Sequence, residues 1–181
     1  MRLLLSALFL CLPLMAVAGP DEDRKEAQEM RQKVLTKLYE EKPNAKSIVE
    51  GSKGYAVFSS LGVNLFVVST ARGSGILHDN RSDKDIYMNM ASAGGGIGLG
   101  VKDFGVVFAF NDEKALDDFL NSGWDFSAQA DATVETNQDS EGTEAAATVV
   151  PGVEIFQITD KGIAVQATLQ GTKYWKDDDL N

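Results

Sequence analysis

Between Ala91 and Phe110 the chain reads ASAGGGIGLGVKDFGVVFAF, and Gly94, Gly96, Gly98 and Gly100 fall on every second position. Successive side chains of a strand point to opposite faces. The spacing therefore predicts a strand with one bare face, the other carrying Gly95, Ile97, Leu99 and Val101. A dinucleotide-binding turn needs glycines at i, i+2 and i+5. Counting from Gly94, Gly96 or Gly98, the i+5 position is Leu99, Val101 or Asp103, and no Gly-Lys-Ser/Thr triplet follows. These glycines belong to a sheet and not to a phosphate loop. A bare strand face lets a helix or another backbone approach closely, or lets the sheet curl sharply. It also suits a groove for a flat or elongated apolar ligand such as an acyl chain. The residues leave both uses open.

The first 18 residues, MRLLLSALFLCLPLMAVA, join one charge at Arg2 to an apolar run and close on Ala16-Val17-Ala18. Those are the parts of a secretory signal peptide. The run is short for a membrane span of about 20 residues, and Leu10 stands before Cys11 where a lipoprotein would carry a small residue. Cleavage after Ala18 would leave 163 residues (181 minus 18) with a net charge of −11, the −10 of the whole chain less Arg2, and no cysteine. A chain of that length fits one domain, and without cysteine an exported protein must rely on packing. The expected location is periplasmic or secreted. The acidic balance opposes general nucleic-acid binding, which draws on Lys and Arg, and long-range attraction to an anionic membrane.

Residues 19–44 form a helical segment, with Ala27, Met30, Val34, Leu35 and Leu38 as an apolar stripe over Pro20 to Glu41. A second short helix is expected from Pro43, ending at Gly51. From Gly54 the period shortens, and GYAVFSS, VNLFVVSTARGSGIL, DIYMNMASAGGGIGLGV and FGVVFAF read as successive strands. Turns are expected at Ser59 to Gly62, Asp79 to Asp85 and Lys102-Asp103. NDEKALDDFLNSGW then reads as a helix capped by Asn111 or Asp112, burying Ala115, Leu116, Phe119 and Leu120 and ending at Gly123. Strands resume in FSAQADATVE, VEIFQIT and KGIAVQATLQGTKYW, with a polar loop from Thr136 to Ala147 and a frayed acidic tail over 177–181. The fold class expected is α+β: a curved, mostly antiparallel sheet with two N-terminal helices and one internal helix.

KGYAVFSSLG at 53–62, ASAGGGIGLGVKDFGVVFAFNDEKALDDFL at 91–120, SAQADATV at 127–134 and IFQITDKGIAVQATLQGTKY at 155–174 resemble, in that order, the segments of the lipid-binding SYLF domain. That family of small domains occurs in eukaryotic membrane-trafficking and actin-patch proteins and in exported bacterial proteins. The likeness covers Ala45 to Tyr174, which places a SYLF-like domain at 45–176. Its specificity lies in the order of elements, from the glycine strand to the alanine-alternating one. Two features depart from the family: VNLFVVSTARGSG stands where a further glycine-rich strand is usual, and the basic clusters credited with phosphoinositide binding in eukaryotic members have no counterpart. The resemblance implies an exported, non-enzymatic lipid-binding module, with phospholipid or a membrane surface as partner. A structural or protein-interaction domain of the envelope is the alternative.

Chemistry-bearing constellations are sparse. His78 is the single histidine, in an expected turn beside Asp79, and no G-x-S-x-G elbow accompanies it. One histidine without a mature cysteine leaves out the usual zinc sets. Asn137 to Gly142 imitates half a calcium loop, but its twelfth position is Thr148 where a bidentate carboxylate is needed. No catalytic residue, metal or cofactor is expected. The candidate contacts for a lipid or other anionic ligand are Arg72 and Lys102, each flanking a glycine-bearing strand, together with Gly94, Gly96, Gly98 and Gly100.

Overall fold

The computed structural model describes residues 19–125, 150–159, 162–164 and 172–181; for 60–71, 93–104, 159 and 162–164 it describes the backbone. Residues 1–18, the strand expected at 126–135 and the loop at 136–147 lie outside the described residues, as does much of 160–171.

The first helix, α1 (Pro20–Glu41), starts where the sequence places proline at N1, and Asp21, Glu22 and Asp23 crowd its first turn. Proline's fixed φ suits that position, and carboxylates there meet the positive end of the helix dipole. Ala27, Val34 and Leu38 are its buried residues. The second, α2 (Ala45–Gly51), begins two residues later than Pro43 suggested and buries Ala45 and Val49.

The strand and turn assignment needs two corrections. Ser59 to Gly62 is not a turn but lies inside one unbroken strand, β1 (Gly54–Asp79), and Lys102-Asp103 lies inside another, β2 (Lys84–Phe110). They form one antiparallel hairpin, paired from Gly54↔Phe110 to Asp79↔Lys84, with the expected turn between them. The register explains the misreading. Ser60 faces Phe104 and Gly62 faces Lys102, so the two suspected turns are opposite rungs of the same ladder. One irregularity falls between Phe66 and Val68, where Phe66 pairs with Gly98 and Val68 with Gly95.

Extended, 26 residues of strand would reach about 85 Å, yet the two ends of β1 meet. The Asn80 amide donates to the Lys53 carbonyl at 3.1 Å. A Cβ on Gly54 would stand 2.7 Å from the His78 carbonyl oxygen, and one on Gly75 would enter the Phe58 ring and stand 2.7 Å from the Val57 oxygen. The hairpin must therefore curl back on itself. Glycine is required at 54 and 75 because backbone and ring occupy the space of a side chain.

The internal helix, α3 (Glu113–Ser122), is capped by Asp112, whose carboxylate accepts the Ala115 amide at 2.9 Å, and it ends at Gly123 with φ 63°. The remaining strands are β3 (Trp124–Asp125), β4 (Val153–Thr159), β5 (Gly162–Ala164) and β6 (Thr172–Lys176). β4 pairs with the C-terminal end of β2, β6 with Met88 to Ser92 nearer its start, β3 with β6 and β5 with β4. All of these pairings are antiparallel, and the class is α+β with sheet predominant.

At the ends of β1 and β2 both sheet faces are covered, which is why the strands carry apolar runs there. Ala56, Phe58, Val106, Phe108 and Phe110 point to a core shared with Leu77, Met88, Met90, Tyr174 and the α3 residues Leu116 and Phe119. Val57, Val107, Ala109, Phe156 and Ile158 point the other way, against Val34 and Leu38 of α1 and Ala45 and Val49 of α2. Ala27 of α1 covers Ile76 and Tyr87 at the turn end of the hairpin. The acidic tail is not frayed. Leu180 packs on that cluster, and the Asn181 side chain accepts the Tyr87 amide at 2.9 Å and donates to the Tyr87 carbonyl at 2.8 Å. The Asp177 amide donates to the same Tyr87 carbonyl at 3.0 Å, so the tail carries the β6 pairing on along β2.

Candidate functional site

The glycine run lies on β2 with its backbone paired to β1: Gly94 faces Ser69 and Gly100 faces Asn64. Arg72 and Lys102 bracket it. Arg72 pairs with Ala91 just before the run and Lys102 with Gly62 just after it, about 35 Å apart along the strand at 3.2–3.4 Å per residue. The structure therefore sets the two candidate cations at opposite ends of the glycine ribbon. Arg72 is exposed and, among the described residues, has no ion-pair partner. The surroundings of Gly94, Gly96, Gly98, Gly100 and the Lys102 side chain lie outside what is described.

Sequence reasoning missed the neighbours that Arg72 acquires from distant strands. Ala91 pairs with Lys173, and Lys173 with Asp125, so Arg72, Ala91, Lys173 and Asp125 form one row across four strands. Lys173 Nζ lies 3.6 Å from the Asp125 carboxylate, with both side chains about half exposed. Trp175 shares the outer face of β6 with Lys173 and keeps 38% of its surface exposed. The alternation along TKYWK, with Thr172 and Tyr174 inward and Lys173 and Trp175 outward, was legible as a period of two. The cross-strand register was not. Next to this face, Asp23, Glu26, Ser74, Asp177, Asp179 and Leu180 line an open cleft of about 250 Å³.

The hairpin turn is a knot of charge. The Asp85 carboxylate accepts from Arg31 Nη1 at 2.6 Å and lies 2.7 Å from His78 Nδ1. The Asp83 carboxylate stands 3.5 Å from His78 Nε2, and the Tyr55 ring lies 5.3 Å from the imidazole. Arg81 binds Asp79 and reaches Asp117 on α3 at 2.8 Å. The Asn80 side chain donates to the Ser52 carbonyl at 2.9 Å, just beyond α2. Residues 79 to 85 thus tie α1, the end of α2 and α3 to a single turn.

Burial pushes the Asp85 carboxyl up, but hydrogen bonds from Arg31 and His78 outweigh it and hold it below the usual carboxylate range. The side-chain hydrogen bond from Arg81 does the same for Asp79. Burial raises the Tyr39 phenol to about 12. A carboxyl depressed in the fold stabilises it fully above its unfolded pKa of about 3.9. That contribution is lost as pH falls through the depressed folded value. Stability is accordingly expected to drop below about pH 4, with a gentler acid slope in Asp85→Asn than in wild type. Urea midpoints measured between pH 3 and pH 6 check this, and parallel slopes for the two proteins would refute it.

Among the described residues the charged partners of His78 are the Asp83 and Asp85 carboxylates. Among the described residues no group of three or more His, Cys, Asp or Glu is placed to hold a metal ion. No described helix is long and apolar enough to cross a membrane.

The class the geometry defines is an α+β domain built on one curled hairpin, with Arg72, Lys173 and Trp175 exposed on neighbouring rows of its outer face. No family model matches the chain. Over 159 residues, 88% of its length, the chain is 34% identical to Beta cell expansion factor A of Aeromonas veronii. It spans 59% of that protein's length.

Proposed function

We propose that the chain is an exported, non-enzymatic lipid-binding module of the cell envelope, of the SYLF kind. The observation that carries the reading is the glycine ribbon itself. The run from Gly94 to Gly100 lies in a curled hairpin, paired to β1 with one register irregularity opposite Gly95 to Gly98, and Arg72 and Lys102 stand at its two ends. An acyl chain can approach such a backbone closely, and a cation at either end can meet the phosphate of its headgroup.

A second reading has its own observation. Gly54, Gly75 and Gly105 each have neighbours where a Cβ would stand, so glycine serves as a packing device elsewhere in this sheet. On that reading the ribbon is only a device for close packing, and the protein is a structural or interaction domain of the envelope.

Flotation of residues 19–181 with phospholipid vesicles separates the two. The lipid reading expects measurable but weak binding that changes little between low and high salt, because residues 19–181, which lack Arg2, carry a net charge of −11 (the −10 of the whole chain less Arg2) that opposes an electrostatic mode. Absence of binding to every vesicle composition would leave the packing reading.

A further inference from the structure

Met90 and Tyr174 point into the core, so their neighbours Ala91 and Lys173 point outward. The register then orders the outer face near the hairpin turn into rows. Ile76 and Tyr87 form the first and lie under α1 and Leu180. Ser74, Asn89 and Trp175 form the second, and Arg72, Ala91, Lys173 and Asp125 the third. Beyond the cover of α1, Ser74, Arg72, Lys173 and Trp175 are exposed.

Charge divides this face. In the third row Arg72 and Lys173 flank Ala91, their backbones two strand spacings or about 9.5 Å apart. The Lys173 contact with Asp125 is a half-exposed pair of the kind that contributes little and exchanges readily. In the second row Ser74 opens into the cleft whose carboxylates are Asp23, Glu26, Asp177 and Asp179. The rows are two residues apart along each strand, about 7 Å, and along the chain Trp175 stands between Lys173 and Asp177 of the cleft. A positive row, an aromatic and a negative cleft at that spacing complement a headgroup that carries a phosphate and an ammonium together.

We propose that this face docks on a bilayer of zwitterionic phospholipid, with the headgroup phosphate on Arg72 and Lys173, its ammonium toward the acidic cleft, and Trp175 at the headgroup level. The inference rests on the lipid reading above and names the lipid class and the contact surface for it. Guanidinium pairs with phosphate through two parallel hydrogen bonds, and tryptophan settles where apolar chains meet polar headgroups. An anionic lipid without an ammonium brings its charge toward the carboxylates of the cleft and gains only the cationic row.

The test is flotation with vesicles of phosphatidylcholine alone, phosphatidylcholine with phosphatidylethanolamine, and phosphatidylcholine with phosphatidylglycerol, using wild type, Trp175→Ala and the double variant Arg72→Glu/Lys173→Glu. Thermal melting of each protein verifies folding. Wild type is expected to bind phosphatidylethanolamine vesicles at least threefold better than phosphatidylglycerol vesicles. Trp175→Ala is expected to lower binding severalfold, and the double variant to abolish the phosphatidylethanolamine preference, both with melting unchanged. If wild type binds and the folded variants match it, this face is not the contact and only the present inference falls. A preference for phosphatidylglycerol overturns the headgroup pairing. If wild type binds no vesicle of any composition, the lipid reading fails and the inference with it.

Discussion

Gly75→Val is expected to destabilise the protein by about 3 kcal/mol or more, the upper end of the range for overpacking a filled core. The first atom added already collides. A Cβ at that position would enter the Phe58 ring and stand 2.7 Å from the Val57 carbonyl oxygen. Neither neighbour can give way, because Phe58 is fully buried among Phe108, Phe119 and Tyr174 and the carbonyl is backbone. Gly51→Ala is the control. A Cβ there meets nothing within 4 Å, and replacing glycine at an unstrained position is neutral or mildly stabilising through the unfolded chain. Urea denaturation of the two variants beside wild type reads the difference. Equal midpoints would mean that β1 does not fold back on itself.

The second large effect is expected at Phe119. It is fully buried on α3, with its ring centroid 4.7 Å from Trp124, 5.1 Å from Phe110 and 5.9 Å from Phe108. Truncating such a side chain costs about 3–5 kcal/mol, from lost transfer energy and the cavity left behind. Phe119→Ala should therefore lower the denaturation midpoint by an amount comparable to Gly75→Val, while Leu120→Ala, half-buried at the edge of the same cluster, should cost clearly less. A similar loss for both would indicate that α3 does not present Phe119 to the sheet.

The parts legible in the sequence are those written in one period over one segment. The apolar stripe of α1, the Asp112 cap and Gly123 stop of α3, and the two-residue alternation of the strands all follow from residues within a few positions of each other. Ser59 to Gly62 shows where that fails. A cluster of serine and glycine is a sound turn signal on its own, and only its partner across the ladder, Lys102 to Gly105, reveals continuous strand. Composition along one strand does not state which other strand will satisfy its backbone. The tail misled for the opposite reason. Three consecutive aspartates look solvated, yet Leu180 finds an apolar cluster and Asn181 completes the backbone of Tyr87.

At the candidate site, Arg72 and Lys102 were legible as strand-flanking cations, and the register sets them at the two ends of the glycine run. Lys173 and Trp175, which share the outer face with Arg72, were not found. They lie about a hundred residues further along the chain, and only the pairing of Arg72 with Ala91 and of Ala91 with Lys173 brings them together. The ion pairs of Asp85 and Asp79 are likewise products of the curl. His78 reads alone as a turn histidine, and it becomes part of a knot only when α1 supplies Arg31.

The curl of the β1–β2 hairpin is the claim on which the core, the charged knot and the outer face all depend. Nuclear Overhauser contacts between the Phe58 ring protons and the Gly75 α-protons test it most directly. These residues lie seventeen positions apart on one strand, and an extended ribbon would hold them more than 50 Å apart at 3.2–3.4 Å per residue. Strong contacts at this pair, together with contacts from Gly54 to His78, are the predicted result. A spectrum with the regular cross-strand contacts of the hairpin but none between Phe58 and Gly75 would contradict the account.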